Sequence, residues 1–307
     1  MQYRELGNSG INASIIGVGT WVTGGGTTWG AAVDDGESVR AIHAALDAGV
    51  NLLDTAPCYG WGRSEEVVGK ALQGRRSQVV LATKCGLVWG ERGADHYFLD
   101  GKMLQRCLEP DSIRREIEDS LRRLQTDYID LYQIHFPAMA PLKTPIAETL
   151  GCLLELKAAG KIRAIGVGNV SLDELQEYCG GGAIASNQFR YSMLWRQAEA
   201  AILPACQAQH LSTLTYMSLE QGLLTGKIGT DRVFAKDEFR SNEDWNPWFK
   251  TENRPRVLAL LEGWRGYLEK YRCSLAQLVL AWTAAQAGVT HVLCGVRKIA
   301  QAQDNAA

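Results

Sequence analysis

No two of the eight cysteines form a CxxC pair; they are scattered at positions 58, 85, 107, 152, 179, 206, 273 and 294. That spacing excludes a dense disulfide frame and reads as free thiols in a reducing cytoplasm. An excess of either charge is also missing: 32 basic residues face 34 acidic ones, for a formal net charge of −2. Nucleic acid and anionic membranes recruit basic surfaces, so neither is expected as the main partner. Proline is scarce, at 8 residues, and no run of like charges marks a linker or disordered tail. The opening MQYRELGNSG has no basic or apolar segment of the secretory kind. One uncharged run, Cys273 to Val296, has the length of a membrane helix. It contains Gln277, Gln286 and His291, and Gly288 divides it into a helix-like and a strand-like half. It therefore reads as a buried helix followed by a buried strand. The five histidines (43, 96, 135, 210 and 291) lack ligand spacing, so no metal is expected.

What is present is an ordinary apolar content, 46%, in alternating segments. Tyr3 to Leu6 and Ile11 to Ile16 flank the turn residues Gly7-Asn8-Ser9-Gly10, predicting a hairpin. Strands are predicted over Ile15–Val18, Asn51–Asp54, Val79–Thr83, Tyr128–Ile134, Ile162–Val167, Ala183–Asn187, Ser212–Thr215 and His291–Leu293. Several are continuous apolar runs, as in parallel strands buried on both faces. Helical segments lie between them. Ile113, Ile117, Leu121 and Leu124 recur at helical spacing. Ser171-Leu-Asp-Glu174 and Ser274-Leu-Ala-Gln277 read as capping boxes, and Thr144-Pro145 as an N-cap followed by Pro at N1. Asp34-Asp35 is expected to cap the first helix and no more. Eight alternations without a composition break predict one (β/α)8 TIM barrel over residues 1–307, preceded by the hairpin. A doubly wound sheet shares the same pattern.

In such a barrel the chemistry collects where strands end. Three consecutive predicted strands lead into Asp54, Lys84 and His135, and Tyr59 follows in the first of these loops. A phenol has a pKa of about 10, too high to exchange protons freely near neutrality. A neighbouring Lys is expected to lower it, with Asp holding the Lys in place, and His135 can donate to a carbonyl oxygen. Together the four suit protonation of a developing alkoxide. The usual phosphate loops are missing. Gly17-Val-Gly19-Thr-Trp-Val22 lacks the third glycine of a dinucleotide fingerprint. Gly222-Leu-Leu-Thr-Gly226-Lys227-Ile228 is one residue short of a P-loop and carries Ile where Ser or Thr is needed.

The stretch Asp54-Thr-Ala-Pro-Cys-Tyr59-Gly-Trp-Gly-Arg-Ser64-Glu65-Glu66 resembles the signature of the aldo-keto reductases. So do ATKCGLVW (82–89), LYQIHFP (131–137), KIRAIGVGN (161–169), NQFRYSMLWR (187–196), GLLTGK (222–227) and CGVRKIAQAQDN (294–305). Seven motifs in order make the resemblance specific, and within the family it is strongest for bacterial members associated with inositol or sugar catabolism. The resemblance implies a cytoplasmic, NADP(H)-dependent oxidoreductase acting on a small carbonyl or sugar-like substrate. It implies Tyr59 as general acid, tuned by Asp54 and Lys84, with His135 orienting the carbonyl. It implies Asn169 and Gln188 on the nicotinamide carboxamide, Tyr216 stacked on its ring, and Ser218, Leu219 and Gly222 along the pyrophosphate. Arg297 would pair with the 2′-phosphate, and Gln301 and Asn305 would contact the adenosine end. A planar guanidinium suits a phosphate, which favours NADP over NAD.

The sequence departs from the family pattern at Gly168, where Ser is common, at Ala138 in place of Asp, and at Cys294 in place of Pro. The family also implies a C-terminal segment beyond residue 307 that helps wall the pocket, so a trimmed chain or an open pocket is expected. Trp21, Trp29, Trp61 and Trp89 fall in predicted mouth loops and are expected to wall the substrate pocket, whereas Trp245, Trp248, Trp264 and Trp282 read as filler between helices. Substrate choice is expected in the loops Trp89–Lys102 and Lys227–Arg254. Cys58 is expected to be passive and Cys85 to face away from the mouth. Arg114-Arg115 and Arg122-Arg123 read as a solvated helix face. Two other functions remain open at this point: a Schiff-base lyase using Lys84, and a nicotinamide-binding regulatory subunit with slow turnover, as in the barrels of this kind that serve potassium channels.

Overall fold

Short runs rich in Ile, Val and Leu become eight strands, β1 (Ile16–Gly19), β2 (Leu52–Asp54), β3 (Val80–Cys85), β4 (Ile129–Ile134), β5 (Ile162–Gly168), β6 (Ile184–Arg190), β7 (Ser212–Tyr216) and β8 (His291–Gly295). The computed structural model describes residues 1–29, 34–90, 92–182 and 184–307. Ala183, the first residue of one predicted strand, and Glu91, in one predicted substrate loop, lie outside the described residues. Each strand pairs in parallel with the next and β8 pairs with β1, closing a (β/α)8 barrel. The register sets Gly19 beside Asp54, Asp54 beside Ala82 and Lys84 beside Gln133.

Alternation along the strands divides the core in two. Leu52, Val80, Ala82, Leu131, Ala164, Leu214 and Leu293 fill the barrel's interior, and residues of the other parity, such as Leu53, Leu81, Tyr132 and Ile165, pack under the helices. The hairpin, Tyr3–Glu5 paired with Asn12–Ser14, adds Leu6, Ile11 and Ala13 to the inner layer and plugs that end of the barrel. Its turn is pressed onto β6: Gly7 has φ +54°, and a Cβ there would sit 2.4 Å from the Ala185 carbonyl oxygen.

The helix Pro110–Leu124 buries Ile113, Ile117 and Leu124 completely. Both expected capping boxes are present, Ser171 with Glu174 and Ser274 with Gln277. The uncharged run divides as predicted into the helix Leu275–Ala284 and β8. Among the described residues no helix is long and apolar enough to cross a membrane.

Some expectations need correction. Pro145, not Thr144, is the N-cap of Ile146–Ala158, because its ψ of 138° is still extended and helical dihedrals begin one residue later. Asp34 caps the first helix through the Glu37 amide, but Asp35 also pairs with Arg63 at 2.8 Å and Lys70 at 3.0 Å, joining two helices. β3 runs on to Cys85, so Lys84 lies within the strand rather than beyond its end. A three-stranded antiparallel sheet, Leu87–Val88, Ala94–Leu99 and Lys102–Arg106, follows β3. Its exposed positions mix polar and apolar side chains, which hid its period from the sequence.

Arg123 is not part of a solvated face. Its side chain is 12% exposed and its Nε lies 2.7 Å from Glu65, whose side chain is fully buried and also accepts from Thr83 Oγ1 at 2.6 Å. A buried carboxylate left without its cation costs about 3–5 kcal/mol. Arg123→Met is therefore expected to lower unfolding free energy by about that amount in a denaturant titration, whereas Arg122→Met, at an exposed pair with Asp119, is expected to leave the midpoint nearly where it is.

Candidate active site

At the carboxyl ends of the strands, Asp54, Lys84, Tyr59 and His135 converge. Lys84 is 2% exposed, yet each of its three N–H groups has an acceptor: Asp54 Oδ1 at 2.6 Å, the Thr55 carbonyl at 2.9 Å and the Tyr59 hydroxyl at 3.1 Å. The other Asp54 oxygen accepts from Gln133 Nε2 and Gln188 Nε2, both at 2.9 Å. A charge pair this deep is tolerable only because its remaining lone pairs are satisfied. Gln133 is a site residue that the sequence reading missed. Its signal was parity, since it lies two residues before His135 on the inward-facing side of β4.

The expected lowering of the Tyr59 pKa does not occur. Burial, and then the Asp54 carboxylate, hold the phenol well above its ordinary value. The Asp54 carboxylate offsets the pull of Lys84 on the phenol, and desolvation outweighs what remains. Tyr59 is therefore a protonated donor. Because its oxygen accepts from Lys84, its hydrogen is free to point elsewhere. His135 is held well below its ordinary value by burial and by Lys84, and is a neutral imidazole. Its ring meets Tyr59 edge-on, with centroids 5.7 Å apart. Cys85 packs in the outer core, away from the mouth, as its parity requires.

Two glycines hold the Tyr59 loop. Gly60 has φ +64°, and a Cβ on it would lie 2.1 Å from the Gly24 carbonyl oxygen; one on Gly24 would lie 2.6 Å from the Tyr59 carbonyl carbon. The loop after β1 thus presses backbone to backbone on the loop after β2. Behind them, Ser64 donates to the Thr20 carbonyl at 2.9 Å and Thr20 donates to the Asp54 carbonyl at 3.0 Å.

These groups open onto a cavity of about 740 Å³, lined by Tyr59 and His135, by Asn169, Gln188 and Tyr216, by Ser218, Leu219 and Gly222, and by Arg297, Gln301 and Asn305. Every residue singled out for the cofactor thus borders one space. Asn169 sits at φ +57°, which Asn tolerates. Its Nδ2 donates to the His135 carbonyl at 2.9 Å and its Oδ1 accepts from Tyr216 at 2.7 Å, tying three strand ends together. Gly168 is tightly placed: a Cβ would sit 3.0 Å from the Ile134 oxygen and 3.2 Å from that of His135. Met217, Glu220 and Gln221 all have positive φ. This strained loop is anchored by the buried Glu220, which pairs with Arg190 at 2.6 Å and accepts from Ser192. Neither anchor was visible in the sequence, since Arg190 and Ser192 lie 30 and 28 positions from Glu220. At the far end, Arg297 donates to the Trp29 carbonyl at 3.2 Å, while Arg297 and Arg240 both lie on the Trp29 ring, 5.7 and 5.9 Å from its centroid. Gln301 accepts from the amides of Arg297 and Lys298, so its side-chain oxygen caps the last helix.

The tryptophans divide differently from expectation. Trp21 and Trp29 line the cavity, edge to face at 5.0 Å. Trp61 and Trp89 are not among its lining residues. They pack on each other at 5.3 Å over a small cluster of Ala56, from the loop after β2, with Leu87 and Leu104 of the antiparallel sheet. Trp245, expected as filler, is 41% exposed and borders the cavity. Trp248 and Trp264 pack against an apolar cluster, and Trp282 stacks on Tyr191. Both predicted substrate loops reach the cavity, through Tyr97, Phe98 and Leu99 and through the segment Lys236–Asn242.

The sequence model described as the aldo/keto reductase family matches residues 15–307. An Escherichia coli (strain K12) protein named NADH-specific methylglyoxal reductase is 41% identical over 308 residues, covering 100% of this chain and 93% of that protein. Among solved structures, the glycerol dehydrogenase AKR11B4 from Gluconobacter oxydans aligns at a TM-score of 0.85 and 37% identity, covering 99% of this chain and 89% of that one. An aldo-keto reductase from Klebsiella pneumoniae, solved in complex with NADPH, aligns at a TM-score of 0.69 and 28% identity, covering 96% and 85%.

The glycine contact has a measurable consequence. Gly60→Ala, which drives a methyl group into the Gly24 carbonyl, is expected to destabilise the fold by about 1–3 kcal/mol, read as an earlier midpoint in urea. Gly74→Ala, at a positive φ with nothing within 4 Å, isolates the backbone cost and is expected to show about 1 kcal/mol or less.

Proposed function

Because the chain belongs to the aldo/keto reductase family, we propose that it reduces an aldehyde or ketone to an alcohol, with NADPH as cofactor and Tyr59 as general acid. One arrangement carries this proposal: the hydrogen-bonded chain Asp54–Lys84–Tyr59, with neutral His135 beside it, facing one cavity. The donor set fits a nicotinamide dinucleotide. Amide groups (Asn169, Gln188) and an aromatic ring (Tyr216) lie near the acid, and two guanidiniums lie at the other end. When bound, the reduced nicotinamide supplies the hydride.

The protein's own groups manage the oxygen. The Tyr59 hydroxyl hydrogen, not engaged by Lys84, is available to a carbonyl oxygen in the cavity, and a His135 N–H can donate to the same atom. As negative charge grows on that oxygen, Tyr59 gives up its proton, and Lys84, 3.1 Å away, steadies the phenolate. The aromatic walls exclude water and suit a small carbonyl compound. A Schiff-base role for Lys84 is disfavoured, since an attacking amine must be neutral and free, whereas this one is paired to Asp54 and has all three hydrogens engaged. Burial, and then the Arg240 guanidinium near the same Trp29 ring, hold the Arg297 pKa below its ordinary value, and a bound phosphate would relieve that repulsion. This supports NADPH, although the Escherichia coli relative is named for NADH. Eight free thiols support a reducing compartment as the place of action.

Tyr59→Phe is expected to lower kcat by about 10²–10⁴-fold while NADPH still quenches tryptophan fluorescence at wild-type concentrations; retained turnover would remove Tyr59 from the acid role. Arg297→Ala is expected to weaken NADPH by roughly tenfold or more and NADH by little, in parallel fluorescence titrations. Equal weakening of both would assign the 2′-phosphate to another group.

A further inference from the structure

Cys58 directly precedes Tyr59, and the reduction chemistry just described makes no use of it. Its side chain is 4% exposed and borders the cavity, and Sγ lies 3.7 Å from Nδ1 of His135. Proximity in the fold thus replaces the histidine that is missing near Cys58 in sequence. The imidazole is fixed in orientation. It stacks on Phe136 at 5.5 Å and 20°, stands edge-on to Tyr59, and its backbone is held by the Cys85 carbonyl and the Asn169 amide. Among the described residues, Cys58 is the only side chain hydrogen-bonded to either ring nitrogen.

A neutral imidazole carries one proton on two nitrogens, so only one tautomer presents an N–H through Nε2. Burial and Lys84 keep the His135 ring neutral near pH 7. Burial also pushes the Cys58 thiol up to about 12, so the sulfur carries its hydrogen. A thiol sulfur is a weak acceptor, whereas an unprotonated imidazole nitrogen is a good one. The pair is therefore better satisfied with sulfur as the donor.

We propose that Cys58 is a positioning residue: its S–H donates to Nδ1 of His135 and thereby fixes the tautomer whose Nε2–H meets the carbonyl oxygen. The last clause rests on the reductase proposal; the tautomer itself does not.

The test separates the two. The imidazole nitrogens of His135 are read by NMR in 15N-histidine-labelled protein, with the His135 signals assigned by their loss in His135→Gln. The wild type is expected to show an unprotonated Nδ1 and a protonated Nε2. Cys58→Val, which fills the space without a donor, is expected to shift both nitrogens towards an averaged tautomer and to lower kcat roughly fivefold to tenfold at unchanged cofactor affinity. Cys58→Ser, which keeps a donor, is expected to restore the wild-type nitrogen shifts and most of kcat. A protonated Nδ1 in the wild type, or nitrogen shifts unaltered in Cys58→Val, would overturn the proposal. The shifts are read without turnover, so failure of the reductase assignment would leave them as predicted.

Discussion

The Lys84–Asp54 pair organises this end of the barrel. An ammonium and a carboxylate 2.6 Å apart at 2% exposure lose nearly all hydration, and such a pair survives only where every remaining donor and acceptor is matched. Here Thr55, Tyr59, Gln133 and Gln188 complete the set. The pair therefore links β2, β3, β4 and β6 as well as neutralising itself. One consequence is chemical. Lys84 uses its third hydrogen on the Tyr59 oxygen, which leaves the phenol as a donor towards the cavity. A second consequence is electrostatic: a self-neutralised pair does not draw the phenol towards ionisation, and burial keeps it protonated.

Precision at the mouth comes from backbone as much as from side chains. Gly24 and Gly60 let two loops approach at distances that no Cβ permits, and the strained 217–222 segment is held by the buried Arg190–Glu220 pair. Local strain of this kind persists where the surroundings over-determine it. Rigid support on one side and the aromatic rings of Trp21 and Trp29 on the other frame the cavity, and the polar groups beside Tyr59, such as Asn169 and Gln188, are held by neighbours. Such a space orients a small ligand by a few hydrogen bonds and excludes water by its walls.

Much of this was legible beforehand. All eight barrel strands were predicted within a few residues of their observed bounds, because parallel strands buried on both faces must be short apolar runs. Asp54, Lys84 and His135 were legible because a polar residue at the end of such a run has one natural destination, the carboxyl rim, and Tyr59 follows in the loop after Asp54. The capping boxes at Ser171 and Ser274 are local and were read directly. Errors arose where a residue's partner is distant in sequence. Arg123 looked solvated until Glu65 was seen beneath it, and Trp61 and Trp89 looked like pocket walls until they were found packed on each other.

Local chemistry and period, then, determined the barrel, its strand parity and the meeting of Asp54, Tyr59, Lys84 and His135 at its carboxyl rim, since these depend on residues within a few positions of one another. Tertiary structure alone decided the protonation of Tyr59, the anchoring of the strained loop and the meeting of Cys58 with His135. Those depend on burial and on contacts across 77 residues in the last case, and both desolvation and short-range hydrogen bonding are properties of distance in space, which sequence separation does not report.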